Sequence, residues 1–199
     1  MDSDLSIYAV KNTDVQDYNL KTPVHPNLPD LRKNFVLLIV GPRAGGKSTI
    51  YSNLILREDM FNVSINVETL AIFSPTILQD KTMQHIRKYY KNSCYPKYDD
   101  SAIQDIIEYQ KAFPDDDRPK ALIIIDDNVG TKTKALDDLC TRSRHFNVSI
   151  ILSSQSLKQV NKTARSNCSD IIITKTYNMK QLIDLYDEVG GLLGSKSRF

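Results

Sequence analysis

The stretch from Phe35 to Thr49 constrains this chain more than any other. An apolar run, Phe35–Val40, ends at Gly41, and Gly41-Pro42-Arg43-Ala44-Gly45-Gly46-Lys47-Ser48-Thr49 follows. The spacing Gly-x-x-x-x-Gly-Lys-Ser, set between a strand and a helical pattern, is that of a phosphate-binding loop. Glycine has no Cβ, so backbone N–H groups can turn inward around phosphate oxygens. A helix starting near Lys47 points its positive end at the same anion. Lys47 is expected to reach the β- and γ-phosphates, and the Ser48 hydroxyl to bind Mg2+. All of Gly41–Thr49 is therefore the candidate phosphate cradle, including Pro42, Arg43 and Ala44.

The loop needs a sheet behind it, and the chain has the length for one α/β domain with a substantial core, at 199 residues. A hydrophobic content of 41% and a charged content of 25% belong to a globular protein. The net charge of +2 is too mild to argue for nucleic acid, so such an argument must rest on local clustering. The three cysteines, Cys94, Cys140 and Cys168, are scattered and form no Cys-x-x-Cys pair. That pattern argues against a disulfide framework or a zinc site and suits a reducing compartment. The acidic start, Met1-Asp2-Ser3-Asp4, has no apolar region after it, and no apolar run approaches a membrane span. His25, His85 and His145 lack metal-ligand spacing.

Taken in order, residues 1–34 read as an irregular arm interrupted by Pro23, Pro26 and Pro29, with a short strand over Ser6–Val10. The arm is either a flexible leader or a segment that packs on a neighbouring subunit. The main domain spans 35–190, and 191–199 reads as a closing loop. The first strand, Phe35–Val40, has the continuous apolar content of a strand buried on both faces. The helix after the loop carries Ile50, Leu54 and Ile55 on one stripe. A second strand, Thr69–Phe73, stops at Ser74-Pro75. Asp80–Pro114 reads as helical, with a capping box at Ser101-x-x-Gln104. Tyr89, Tyr90, Tyr95 and Tyr98 lie among Lys88, Lys91 and Lys97. That interleaving suits nucleic acid, or simply a solvated face with tyrosines at its rim. Asp115-Asp116-Asp117 reads as a solvated loop tip.

The third strand, Ala121–Ile125, closes on Asp126-Asp127. Downstream of a phosphate loop, the first carboxylate is expected to hold Mg2+ through water and the second to orient or deprotonate the attacking water. A helix with Leu136, Leu139 and Cys140 inward runs into Arg142-Ser143-Arg144-His145. The fourth strand, Asn147–Leu152, ends in Ser153-Ser154-Gln155, where an amide can sense a γ-phosphate or hold the water. Lys158, Lys162 and Arg165 form a local basic cluster, which is either a phosphate track or a solvated face. A fifth strand, Asp170–Thr174, and a helix with Leu182, Ile183, Leu185 and Tyr186 follow. Alternating strands and helices predict a parallel α/β sheet with its site at the strand carboxyl ends.

The set Gly41–Thr49, Ile123–Asp127, Arg144–Ser149, Gln155 and Arg165-Ser166-Asn167 resembles the poxvirus-type genome-packaging ATPases of large DNA viruses and virophages, within the FtsK/HerA superfamily. The resemblance covers residues 33 to 188. It implies a P-loop NTPase fold of the ASCE/RecA-like kind, with about five strands ordered 5-1-4-3-2 and flanking helices. It also implies ATP and Mg2+ as cofactors, and a homo-oligomeric ring, hexamer or pentamer, that pumps double-stranded DNA into a capsid at a portal-like vertex. Such a protein works in the host cell's viral factory or the virion, with no membrane insertion. In such rings one subunit lends an arginine to its neighbour's ATP, and the match makes Arg144 the first candidate and Arg142 the second. Asp127 stands where many superfamily members have Glu, one methylene longer. Members usually continue past the fifth strand's helix, so a tail with DNA- or capsid-contacting elements beyond Phe199 is left open. Two other readings of the motifs compete: a small-molecule kinase, and a nucleotide-dependent scaffold without turnover.

Overall fold

The computed structural model describes residues 25–127 and 133–190. The expected arm strand Ser6–Val10 and the closing 191–199 stretch lie outside the described residues. The strands are β1 (Val36–Val40), β2 (Thr69–Phe73), β3 (Cys94–Tyr95), β4 (Ala121–Asp126), β5 (Val148–Ser154) and β6 (Asp170–Ile173). The α-helices are α1 (Lys47–Leu56), α2 (Val63–Asn66), α3 (Gln84–Tyr89), α4 (Asp100–Lys111), α5 (Lys134–Arg142), α6 (Lys162–Ser166) and α7 (Met179–Val189).

The six strands pair in the order β3-β2-β4-β5-β1-β6, every pairing parallel. The five expected strands stand in their expected order, 5-1-4-3-2. The sheet is larger than expected by the two-residue edge strand β3. It lies inside Asp80–Pro114, which is therefore not uniformly helical: α3 and α4 flank a short extended piece. No periodic signal marks two residues. Their place is secured by pairing with Ile72 and Phe73 and by stacking of Tyr95 on Phe73, with ring centroids 4.9 Å apart.

The period-2 alternation of the strands divides the core in two. Val36, Leu38 and Val40 of β1 join Ile123 and Ile125 of β4 on one face, under α4, α5 and α6. Leu37 and Ile39 join Leu122, Ile124 and Ile151 on the other, under α1 and α3. Burial on both faces explains why β1 and β4 are apolar without a break. Leu31 is also buried in the second layer, and the buried Lys120 ammonium ties the strand N-terminal ends together by donating to Asn34 Oδ1 at 2.7 Å and Asn147 Oδ1 at 2.6 Å.

The expected stripe of α1 packs on the second layer, with Leu54 and Ile55 buried and Ile50 partly buried against them, and Tyr51 joins it. One local expectation is corrected. The N-cap of α4 is Asp99, not Ser101: Asp99 Oδ1 accepts from the Ser101 N–H at 2.9 Å. Asp at the N-cap accepts from the helix's first N–H groups at least as well as Ser. Tyr95 and Tyr98 pack on Phe73, and Tyr98 donates to Asp100, so that part of the tyrosine cluster is rim packing.

Candidate nucleotide site

The loop after β1 turns through two left-handed residues, Ala44 at φ 59° and Gly46 at φ 87°. Gly46 caps α1 without a side chain. Right- and left-handed residues in succession turn N–H groups toward one point. The first turn of α1 adds N–H groups with no partner inside the helix. Gly41 and Gly45 serve a different need. A Cβ at Gly41 would overlap the Thr174 hydroxyl, and one at Gly45 would come within 2.8 Å of it. Thr174 follows β6, and its N–H donates to Val40 O at 2.8 Å, so the last strand buttresses the loop from behind. Lys47 is buried, and its ammonium spans the loop to Gly41 O at 2.9 Å and Pro42 O at 3.2 Å.

Asp126 ends β4 two strands away from β1, level with Ser153 of β5. It is 3% exposed. Its Oδ2 accepts from Tyr51 Oη and from Ser74 Oγ, each at 3.0 Å. Burial pushes its carboxyl above the ordinary value, the hydroxyls of Ser153, Ser74 and Tyr51 oppose this, and the Asp127 charge adds to it. Burial, followed by the Asp126 charge, pushes the Tyr51 phenol far up, so its proton stays in place to be donated. Asp127 sits at φ 54°, a left-handed conformation that Asp tolerates better than most residues. Its N–H bonds Ser153 O at 3.0 Å, its side chain is exposed, and Gln155 Nε2 donates to its Oδ2 at 3.3 Å. Gln155 O in turn accepts from Gln181 of α7 at 3.4 Å.

The sheet thus carries the phosphate loop, Asp126, Asp127 and Gln155 at the carboxyl ends of three adjacent strands, β1, β5 and β4. Arg142 and Arg144 are elsewhere. Both precede the N-terminal end of β5, so the length of the sheet separates them from their own phosphate loop. Arg142 pairs with Asp138 at 2.8 Å and lies over the Phe146 ring, whereas the Arg144 side chain is exposed. The basic trio is largely occupied. Lys158 pairs with Asp184 at 2.5 Å and Arg165 with Glu188 at 2.9 Å, both acids on α7, and Lys162 is exposed.

The sequence pattern assigns no site role to three residues of this neighbourhood. Tyr51 lies four residues after Lys47, where helical spacing puts it on the same face. Ser74 follows Phe73, which pairs with Ile125, so the two strands end level; as a sequence it shows only a strand break before Pro75. Thr174 closes the fifth strand, and nothing in its neighbours marks it as a buttress.

A family model described as Poxvirus A32 protein matches residues 28–184. The chain belongs to the poxvirus A32 family. This is the family that its motifs resemble. Among solved structures, the chain is similar to the genome packaging NTPase B204 from Sulfolobus turreted icosahedral virus 2 in complex with ATP-gammaS, at 16% identity and a TM-score of 0.58, covering 84% of this chain and 87% of that one. EssC (ATPases 2 and 3) from Geobacillus thermodenitrificans matches at 14% identity and a TM-score of 0.55, over 78% of this chain and 34% of that one. At these identities the likeness is one of fold alone, that of a P-loop NTPase. Among curated proteins no sequence matches. No helix among the described residues is long and apolar enough to cross a membrane.

Proposed function

We propose that this A32-family chain is the ATP-hydrolysing subunit of a motor that moves double-stranded DNA into a viral capsid. The observation that carries the reading is the convergence of the phosphate loop with Asp126, Asp127 and Gln155 on three adjacent strand ends. Family membership and the B204 fold support the choice of substrate class.

The chain's own residues would divide the work as follows. Loop and α1 N–H groups bind the phosphates. Lys47 exchanges the carbonyls of Gly41 and Pro42 for phosphate oxygens. Asp127 takes a proton from the attacking water while Gln155 orients it; the bond to the leaving phosphate oxygen breaks, giving ADP and inorganic phosphate. Ser48 and Asp126 would hold Mg2+, a hard cation that commonly takes only one or two oxygen ligands from the protein and keeps several waters. When bound, it neutralises charge on the β- and γ-phosphate oxygens. Arg144, or Arg142, is the residue lent to a neighbour in a homo-oligomeric ring, a contribution of about 10³–10⁵ in rate for this class of chemistry. In the basic trio that would track DNA, Lys162 is exposed, whereas Lys158 and Arg165 are paired to acids of α7.

The test is ATP turnover measured with and without double-stranded DNA across protein concentration. Turnover is expected to rise with both. Lys47→Ala is expected to lower it by at least about 100-fold, the scale of losing one main electrostatic stabiliser. Intact hydrolysis in Lys47→Ala overturns the site assignment. Phosphate transfer to a nucleoside in place of water overturns the motor.

A further inference from the structure

Asp126 is a carboxylate at the end of a strand buried on both faces, its Oδ2 accepts from two neutral hydroxyls, and the Ser153 hydroxyl beside it is neutral as well. Those donors come from separate elements. Tyr51 is on α1, the helix that carries Lys47 and Ser48, and is 0% exposed. Ser74 follows β2 and is 0% exposed. Both bond the same oxygen, Oδ2, each at 3.0 Å, so Oδ1 carries neither bond. Two donors from different directions on one oxygen fix the rotation of a carboxylate, which one donor does not. Ser74 Oγ is itself 3.3 Å from Thr76 Oγ1, so its own rotor is restrained.

We propose that Tyr51 and Ser74 are positioning residues that lock the Asp126 carboxylate, so that Oδ1 and Ser48 present a preformed pair of oxygens to the divalent cation that accompanies the nucleotide. The inference rests on the phosphate-site reading above. Second-shell partners of metal-binding carboxylates commonly set affinity by about 10–100-fold. A rotationally fixed carboxylate also favours Mg2+, which demands near-octahedral geometry, over the larger and more permissive Ca2+. Tyr51 further links this carboxylate to the helix whose first turn holds the phosphate, so cation and phosphate subsites share one rigid element.

The experiment is equilibrium binding of a fluorescent ATP analogue to the full chain, without divalent cation, with Mg2+ and with Ca2+. The proteins are wild type, Tyr51→Phe, Ser74→Ala and Ser74→Thr. The wild type is expected to bind more tightly with Mg2+ than without, and more tightly with Mg2+ than with Ca2+. Tyr51→Phe and Ser74→Ala are each expected to lose about tenfold of the Mg2+-dependent gain. Their metal-free affinity should stay within about twofold of wild type, and their preference for Mg2+ over Ca2+ should shrink. Ser74→Thr, which keeps the hydroxyl, should restore the gain. Variants that keep the full gain overturn the inference. So do variants that lose affinity equally with and without cation, because that is a loss of loop structure alone. Tyr51 and Ser74 sit on different elements, so poor folding of one variant leaves the other to decide. A wild type with no Mg2+-dependent gain overturns the underlying phosphate-site reading, and this inference with it.

Discussion

A phosphate loop is usually explained by its glycines as one class, but the glycines here do unlike things. Gly46 holds a left-handed turn, whereas Gly41 and Gly45 make room for Thr174. Gly41→Ala is therefore expected to lower stability by about 1–3 kcal/mol, the usual cost of overpacking, and to weaken nucleotide binding. Thr174→Ala in the same chain removes the hydroxyl and methyl and leaves a single close contact, the Thr174 Cβ at 2.9 Å. The double variant should recover part of the loss in chemical denaturation, and strictly additive losses would show that Thr174 is not the obstacle. This pair also marks where the sequence stops being readable. Gly41, Lys47 and Ser48 stand out by local spacing, and Asp126 and Asp127 by closing an apolar strand downstream of that spacing. Thr174, Ser74 and Tyr51 acquire their roles only when strands far apart in the chain end at the same level. No local spacing encodes that.

At the scale of elements, the helix that most misleads the sequence is α4. Ser101-x-x-Gln104 has the spacing of a capping box, yet Asp99 is the cap, and its carboxylate also accepts from Ser101 Oγ at 2.8 Å. The Ser101 hydroxyl and N–H hold the Asp99 carboxyl below its ordinary value of 3.8. A folded value below the unfolded one means that the cap's contribution is present above the unfolded value and fades as pH falls through the folded one. Asp99→Ala should lower the melting temperature at about pH 7 more than Ser101→Ala does. The gap between wild type and Asp99→Ala should close well below 3.8. A gap that persists there would mean the Asp99 carboxylate charge is not what caps the helix. The basic stretch between β5 and β6 misleads for a related reason. No acidic residue lies between His145 and Asp170, so the cluster looks unopposed in sequence. Asp184 and Glu188 answer it from α7, roughly one helix further on. Charge removal by Lys158→Ala and Arg165→Ala is expected to loosen α7, read as faster amide exchange in residues 179–189. It should leave the salt dependence of DNA binding nearly unchanged, whereas a slope reduced by about one per residue would restore the phosphate-track reading.

For the whole molecule, parallel pairing sorts the candidate site residues to opposite ends of one sheet. The phosphate loop, both acids and Gln155 lie at the carboxyl ends, and Arg142 and Arg144 lie before the amino end of β5. A seven-residue strand is about 23 Å long, beyond the span of an arginine side chain, so neither arginine serves its own loop. An arginine of either position that takes part in hydrolysis must then act on another copy. This geometric consequence was legible in the sequence as far as strand order and motif position were, since a parallel sheet fixes which residues share an end. Which neighbouring surface would receive the arginine was not legible, because one chain does not encode a ring's contacts in any local pattern. Mixing variants gives a direct test. Lys47→Ala lacks a working loop but keeps Arg144, and Arg144→Ala keeps the loop but lacks the arginine. Each alone is expected to hydrolyse ATP far below wild type. In an equal mixture that assembles at random with head-to-tail contacts, roughly a quarter of the interfaces combine an intact loop with an intact Arg144. Turnover in the mixture should therefore rise above the sum of its parts, and should do so only at concentrations where the wild type itself is active. A mixture no better than that sum would remove Arg144 from the reaction, and the same pairing with Arg142→Ala would then decide whether the second arginine takes its place.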